Sequence, residues 1–145
     1  MDDRLRPTSR NDYPYFGTMP TRWGDNDAYG HINNVAYYAF FDSAVNRHLI
    51  ESGVLDVASS SIIGLVVETR CRFFSSVQFP DTVHVGLQVS HLGNSSVRYA
   101  IGLFRNDDPQ ACAVGSFVHV YVQRASNRPV PVPPAVRAAL RPLTV

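Results

Sequence analysis

Residues 34–52 read Asn-Val-Ala-Tyr-Tyr-Ala-Phe-Phe-Asp-Ser-Ala-Val-Asn-Arg-His-Leu-Ile-Glu-Ser, and they carry the strongest structural signal in the chain. Its first two turns are apolar on nearly every face, which is typical of a helix that is buried all round. Asn33 or Asn34 is a suitable N-cap, and Gly53 is a suitable residue to end the helix. A helix of this kind needs a sheet to cover it.

Strand patterns lie on both sides of this helix. β-Branched and aromatic residues alternate with polar ones in several segments, so we predict strands at residues 15–22, 63–74, 82–92, 96–104 and 111–123. Gly93 and Asn94 supply a turn that favours a hairpin, and a short helix is expected at 134–140. One strand, a helix and four antiparallel strands satisfy their burial only if the sheet wraps the helix, so the sequence predicts an α+β domain.

The 145-residue chain has the length of one domain, and we expect a flexible N-terminal tail at residues 1–12 and a single domain at 13–145. The net charge is +1 and the arginines are scattered, which argues against binding to nucleic acid or to an anionic membrane. The N-terminus lacks the apolar core of a signal peptide, and no stretch approaches the ~20 apolar residues of a membrane span. We therefore expect a soluble, cytoplasmic protein.

Residues 22–37, Arg-Trp-Gly-Asp-Asn-Asp-Ala-Tyr-Gly-His-Ile-Asn-Asn-Val-Ala-Tyr, place two acids, a glycine, a histidine and two amides immediately before the helix. A carboxylate that faces the start of a helix has free backbone N–H groups nearby. A base or nucleophile and an oxyanion site can therefore share one small space, as acyl transfer requires.

The same segment resembles the signature of the hotdog-fold acyl-CoA thioesterases of the 4-hydroxybenzoyl-CoA thioesterase type, through Arg22-x-x-Asp25-x-Asp27-x-x-Gly30-His31-x-Asn33-Asn34-x-x-Tyr37. The likeness extends over residues 15–123. It implies an antiparallel sheet wrapped around a long central helix, and hydrolysis of acyl-CoA, or of an acyl-carrier-protein thioester, to a free acid without a cofactor. It also implies a homodimer or homotetramer with pockets at the subunit interface.

The resemblance assigns Asp27 as the catalytic carboxylate, acting either as a general base on water or as a nucleophile that forms a mixed anhydride. The N–H groups of Asn34 and Val35 would then bind the oxyanion. Asp25 is expected to hold the loop through hydrogen bonds. The alternative reading of either acid is a turn carboxylate that satisfies local N–H groups.

Four further residues are predicted to shape or support the pocket: Gly30, His31, Asn33 and Tyr37. His31 can either relay a proton or only hydrogen bond to the backbone. The other histidines (His48, His84, His91 and His119) are interpreted as ordinary surface or sheet residues, and Cys71 and Cys112 as buried reduced thiols, so no metal site is predicted. Arg70, Arg72, Arg98 and Arg124 are weak candidates for contact with CoA phosphates.

Two rivals remain open. A hotdog dehydratase usually needs a histidine with an acid partner on the pocket helix, where Asp42 and Glu51 are the available acids. A non-catalytic acyl-thioester-binding protein should lack the catalytic acid.

Overall fold

A computed structural model describes residues 6–144. The two α-helices and five strands are α1 (Asn34–Glu51), α2 (Pro134–Leu140), β1 (Tyr15–Pro20), β2 (Ile62–Phe73), β3 (Thr82–Leu92), β4 (Ser96–Arg105) and β5 (Ala113–Gln123). Short 3-10 turns lie at Arg10–Asp12, Trp23–Asp25 and Arg141–Leu143. Within the described range, no helix is long and apolar enough to cross a membrane.

The strands form one antiparallel sheet in the order β1-β3-β4-β5-β2. β3 and β4 form the predicted hairpin, and α1 packs on one face of the sheet, against β1, β2 and β3. The predicted α+β hotdog fold is confirmed. Its core forms where α1 meets the sheet, and Phe41, Ala44 and Val45 of the helix are fully buried there.

The start of α1 is fixed by a side-chain cap. The side-chain oxygen of Asn33 accepts a hydrogen bond from the N–H of Val35 at 3.0 Å, which selects Asn33 over Asn34 as the N-cap. At the other end, Gly53 has φ of +75°, a conformation that glycine adopts readily and other residues rarely. Both ends of the helix therefore follow from the local sequence.

β1 ends at Pro20, two residues before the predicted boundary at Arg22. Thr21 leaves the ladder and donates its N–H to the carbonyl of Asp81, after which residues 23–25 turn into a 3-10 helix. This turn directs the chain from the edge of the sheet towards the start of α1.

The N-terminal segment covers the outer face of the sheet. The ring of Tyr13 lies over Gly86 and Gly102, where a Cβ would approach within 2.6 Å of ring or hydroxyl atoms. Ahead of it, Thr8 accepts a hydrogen bond from the N–H of Ala111 at 2.8 Å. Residues 1–5 of the predicted flexible tail lie outside the described residues. Arg10 packs over the ring of Phe104 and the carbonyl of Asp12 accepts a hydrogen bond from the side chain of Gln88, while the boundary between tail and domain stays a prediction.

β2 is an edge strand with an irregularity. Among residues 6–144 it pairs with β5 only, and its register shifts between Val66 and Glu68, as in a β-bulge. Three consecutive apolar side chains at this point are exposed: Leu65, Val66 and Val67. One edge of β2 therefore presents unpaired backbone groups beside an apolar patch.

Candidate active site

A cleft of about 730 Å³ lies between the loop that precedes α1, the first turn of the helix and the end of β2. Its size falls within the range of small-molecule sites, roughly 300 to 1,000 Å³. Five of the residues predicted for the site line it: Asp27, His31, Asn33, Asn34 and Tyr37. The far wall is formed by residues 73–76.

The Asp27 carboxylate is held in place by the turn that follows it. Its Oδ1 accepts hydrogen bonds from the N–H of Tyr29 at 2.8 Å and of His31 at 3.4 Å. Gly30, with φ of +83°, permits this turn, and the N–H of Asp27 donates to the carbonyl of His31 at 2.8 Å. Among residues 6–144, nothing donates a hydrogen bond to Oδ2. One carboxylate oxygen is therefore held by backbone N–H groups, and the other accepts no hydrogen bond from these residues.

The first turn of α1 offers one open backbone donor to the cleft. The N–H of Val35 is occupied by the Asn33 cap. In the part of the chain that the structure describes, the N–H of Asn34 has no acceptor. The predicted oxyanion role therefore rests on Asn34 in this geometry. A free N–H at a helix N-terminus is a favourable partner for a developing negative charge.

Asp25 is placed differently from Asp27. Its side chain is buried, and its two oxygens accept from the N–H of Arg22 at 2.8 Å and from the Arg22 guanidinium at 3.0 Å. The carbonyl of Asp25 accepts the N–H of Asn33 at 2.8 Å. These contacts hold the loop against the start of α1 and support the interpretation of Asp25 as a structural residue.

The apolar wall of the cleft is aromatic. The rings of Tyr37 and Phe73 meet edge to face with centroids 4.8 Å apart. Burial raises the pKa of Tyr37 above its ordinary value, so its phenol stays protonated at neutral pH. His31 is exposed at the cleft and Tyr37 is buried behind it. Tyr37 is therefore better suited to forming the wall than to transferring a proton.

The acids on α1 have other partners. Asp42 accepts a hydrogen bond from the side-chain amide of Asn46, and Glu51 pairs with Arg47, both on the exposed surface. Neither acid lines the cleft. This arrangement provides no histidine–acid pair on α1 inside the cleft, as a hotdog dehydratase would need.

Two arginines proposed for phosphate contact are engaged within the chain. Arg98 pairs with Glu68, and Arg124 donates to the carbonyls of Val57 and Ser60 at 2.8 Å each. Between residues 6 and 144, no cluster of three or more His, Cys, Asp or Glu side chains has the geometry of a metal site.

His119 lies on β5, where a sheet residue is expected, and its side chain faces the core. It is 2% exposed and lies beside Tyr99 and Tyr121. Burial lowers its pKa to about 4, so it is neutral at physiological pH. The alternation of Phe117, His119 and Tyr121 along β5 places these side chains on the buried face, and this signal could have identified it.

Residues 21–140 match the sequence profile of the thioesterase-like superfamily. The chain is 51% identical to the PA5185 protein of Pseudomonas aeruginosa strain PAO1, with a TM-score of 0.94 over 96% of this chain and 97% of that one. It is 33% identical to the P. aeruginosa PA2801 protein, provisionally named a thioesterase, with a TM-score of 0.82 over 88% and 98% of the two chains.

A more distant structure shares the fold alone. Slr0204 from Synechocystis, a 1,4-dihydroxy-2-naphthoyl-CoA thioesterase, is 14% identical, with a TM-score of 0.79 over 87% of this chain and 94% of that one. The profile match spans most of the chain and agrees with the fold and with the motif before α1. The chain belongs to the thioesterase-like superfamily, whose membership supports acyl-thioester hydrolysis as its general activity.

Proposed function

We propose that this protein hydrolyses acyl-CoA thioesters and that Asp27 is its catalytic carboxylate. The observation that carries the proposal is the shared cleft, in which a carboxylate with one unengaged oxygen lies in the same cavity as the open N-terminus of the long helix. Thioester hydrolysis needs these two groups, one to deliver the attacking oxygen and one to stabilise the charge that forms on the carbonyl oxygen.

In the proposed reaction, the substrate carbonyl oxygen accepts a hydrogen bond from the N–H of Asn34. Asp27 removes a proton from water as the water oxygen attacks the carbonyl carbon, and the carbonyl electron pair moves onto oxygen. The tetrahedral intermediate collapses, the C–S bond breaks, and the CoA sulfur leaves with the electron pair and takes up a proton. The products are a carboxylic acid and CoA. An oxyanion donor of this kind contributes roughly 3 to 4 kcal/mol.

The alternative route begins with attack of the Asp27 carboxylate itself on the carbonyl carbon, which expels the thiolate and leaves a mixed anhydride that water then hydrolyses. A single turnover in ¹⁸O-labelled water distinguishes water activation from an anhydride route in which water attacks the Asp27 carbonyl. Water activation leaves the protein unlabelled. The anhydride route, with water attacking the Asp27 carbonyl, places ¹⁸O in the Asp27 side chain, which mass spectrometry of the tryptic peptide detects.

The test of the proposal is thiol release from short-chain, long-chain and aryl acyl-CoA substrates by the wild type and by Asp27→Asn. The aryl substrate is included because of the naphthoyl-CoA activity of the Synechocystis protein. We expect a loss of ~100-fold or more in kcat, since a positioned general base contributes that much. Asp42→Asn, which removes an exposed acid outside the cleft, is the matched control and should retain full activity.

Equal turnover by the wild type and Asp27→Asn would remove Asp27 from the mechanism. Saturable acyl-CoA binding without turnover by the wild type would instead identify a non-catalytic binder. Parallel assays with an acyl-carrier-protein thioester decide the carrier, because both carriers present a phosphopantetheine arm.

We also propose that two copies of this chain associate through β2. One edge of this strand has no neighbouring strand among the described residues, and its exposed Leu65, Val66 and Val67 form an apolar patch that a second copy would cover. Val66→Asp should shift the mass measured by light scattering from dimer or tetramer to monomer. Val57→Asp changes an equally apolar exposed residue outside the sheet and should leave the mass unchanged. A monomeric wild type would contradict this proposal.

A further inference from the structure

A second cavity, here named the helix-end cavity, lies at the opposite end of α1 from Asp27. It has a volume of about 370 Å³, and its walls come from the end of α1, the segment that follows it, the start of β2 and the end of β5. With a rise of 1.5 Å per residue, the helix separates Leu49 at this cavity from Asn34 at the cleft by about 22 Å. Within one protomer, the two sites are therefore distinct.

Most of the wall is apolar, but two polar side chains form part of it. Leu49, Leu55 and Ile62 are apolar wall residues, and His119 and Tyr121 contribute from β5. These two are 2% and 3% exposed. An apolar cavity with a small number of polar groups on one side has the composition of a ligand site.

The polar atoms of these two side chains are unpaired. Nδ1 of His119 and the hydroxyl of Tyr121 are buried, and neither has a hydrogen-bond partner among the described residues. Leaving a buried polar group unsatisfied destabilises the fold. Such groups in a folded protein call for a specific explanation, and a ligand or water that supplies the missing partner is one.

The polar side chains from β5 that line the cavity carry no charge. Burial lowers the pKa of His119 to about 4 and raises the pKa of Tyr121 to about 12, so both side chains are neutral at physiological pH. Arg124 also lines the cavity, but its guanidinium donates to the carbonyls of Val57 and Ser60, which hold the adjoining loop in place. A cationic ligand would lose its hydration here without gaining an opposite charge, and an anionic ligand would meet only Arg124, whose Nε and Nη2 already donate to those carbonyls.

We propose that the helix-end cavity binds an uncharged molecule with an apolar body and one hydroxyl or carbonyl oxygen, which hydrogen bonds to the Tyr121 hydroxyl. The apolar walls supply affinity through burial, and the unpaired hydroxyl supplies selectivity. This site goes beyond thioester hydrolysis at Asp27, and its existence does not depend on that activity.

The test measures binding of 2-phenylethanol and ethylbenzene by titration calorimetry, because the two probes differ only in a hydroxyl group. In the wild type and in Tyr121→Phe, the ratio of the two dissociation constants is compared. Removing the Tyr121 hydroxyl should shift this ratio by about 3- to 10-fold in favour of ethylbenzene, the worth of one neutral hydrogen bond. Affinity for ethylbenzene itself should change little.

Tyr99→Phe is the matched control. The Tyr99 hydroxyl is also buried and unpaired, but Tyr99 does not line the cavity, so the ratio should stay at its wild-type value. Leu55→Trp fills the cavity from a half-buried position and should abolish binding of both probes. Thermal unfolding of each variant verifies that it is folded.

Three outcomes overturn the proposal. The first is no binding of 2-phenylethanol to the wild type, which would leave a cavity filled by water only. The second is a ratio of the two dissociation constants that is the same in Tyr121→Phe as in Tyr99→Phe, whether or not it differs from the wild-type value. The third is undiminished binding to Leu55→Trp, which would place the probe elsewhere. None of these outcomes bears on Asp27, whose role is decided separately by thiol release.

Discussion

Asp25 and Asp27 are two residues apart, yet we expect the removal of one to affect mainly stability and the removal of the other to affect mainly catalysis. Asp25→Ala deletes a buried carboxylate that accepts the backbone N–H of Arg22 and the Arg22 guanidinium. Asp27→Ala deletes a carboxylate at an open cleft, where it accepts the N–H of Tyr29. We expect the first change to destabilise the fold and the second to abolish catalysis with little effect on stability.

The magnitude follows from the contacts. A hydrogen bond from a backbone N–H to a buried carboxylate contributes roughly 1.5 to 3 kcal/mol. The ion pair adds less, about 0.5 kcal/mol, because the Arg22 side chain is 82% exposed and water screens it. The sum of about 2 to 3.5 kcal/mol corresponds to a fall in Tm of roughly 4 to 14 °C for a domain of this size. Asp27→Ala should cost about 1 kcal/mol.

Urea unfolding followed by circular dichroism, at one fixed protein concentration, measures both variants against the wild type. Thiol release measures their activity under the same conditions. If Asp25→Ala unfolds at the wild-type urea concentration, or if Asp27→Ala is the less stable of the two, the division of roles between the acids is wrong.

Further predictions concern the core, the outer face and the thiols. In the folded protein, burial lowers the pKa of His119 from 6.5 to about 4. As the pH falls from 6.5 to about 4, this histidine therefore becomes protonated in the unfolded chain before it does so in the folded one. Stability should therefore decrease by about 3 kcal/mol between these limits, and His119→Phe should flatten the measured slope. Gly102→Ala should cost about 1 to 3 kcal/mol by overpacking against Tyr13, and far less in a Tyr13→Ala background, as a double-mutant cycle with urea will measure. Burial raises the pKa of Cys71 to about 12 and of Cys112 to about 11, so iodoacetamide should alkylate the native protein at least ~10-fold more slowly than the unfolded chain.

Each of these has an outcome that contradicts it. An acid slope that His119→Phe leaves unchanged would assign the effect to other groups. A Gly102→Ala cost that persists without Tyr13 would mean that the ring does not dock over the glycine. Equal alkylation rates of native and unfolded chains would show that the thiols are accessible.

Much of the fold follows from local patterns in the sequence. β3 was predicted at its observed bounds because turn residues mark both ends of a regular alternation, and α1 because an amide cap and a glycine delimit an apolar run. The end of β1 was misplaced because a tertiary hydrogen bond from Thr21 to Asp81 draws the chain away from the sheet. A local sequence pattern cannot predict a hydrogen bond between residues that are so far apart in the chain.

The site was predictable to the extent that it is local. Asp27, His31 and Asn34 are close in sequence and line the same cleft. The far wall at Phe73 and the core position of His119 depend on which strands become neighbours in the sheet. The alternation of side chains along a strand predicts which face of the sheet a residue occupies, but it does not predict which strand lies next to it. The sequence also offers two adjacent amides, Asn33 and Asn34, as the helix cap. Only the three-dimensional structure shows that Asn33 accepts the N–H of Val35.

The irregularity between Val66 and Glu68 also constrains how this chain can vary. Before the irregularity, the β2 residues that pair with the buried-face residues of β5 have even numbers, such as Gly64 and Val66. After it, the β2 residues on that face have odd numbers, such as Thr69 and Phe73. Deleting Val67, the residue without a partner in this ladder, would restore strict alternation and leave Thr69 and Phe73 opposite their present partners. Inserting one residue between Glu68 and Phe73 would instead exchange the two faces of the strand beyond the insertion, so that Arg72 would take the place of Phe73 in the cleft wall. A change of length should therefore be tolerated at the irregularity itself and selected against in the part of the strand that follows it.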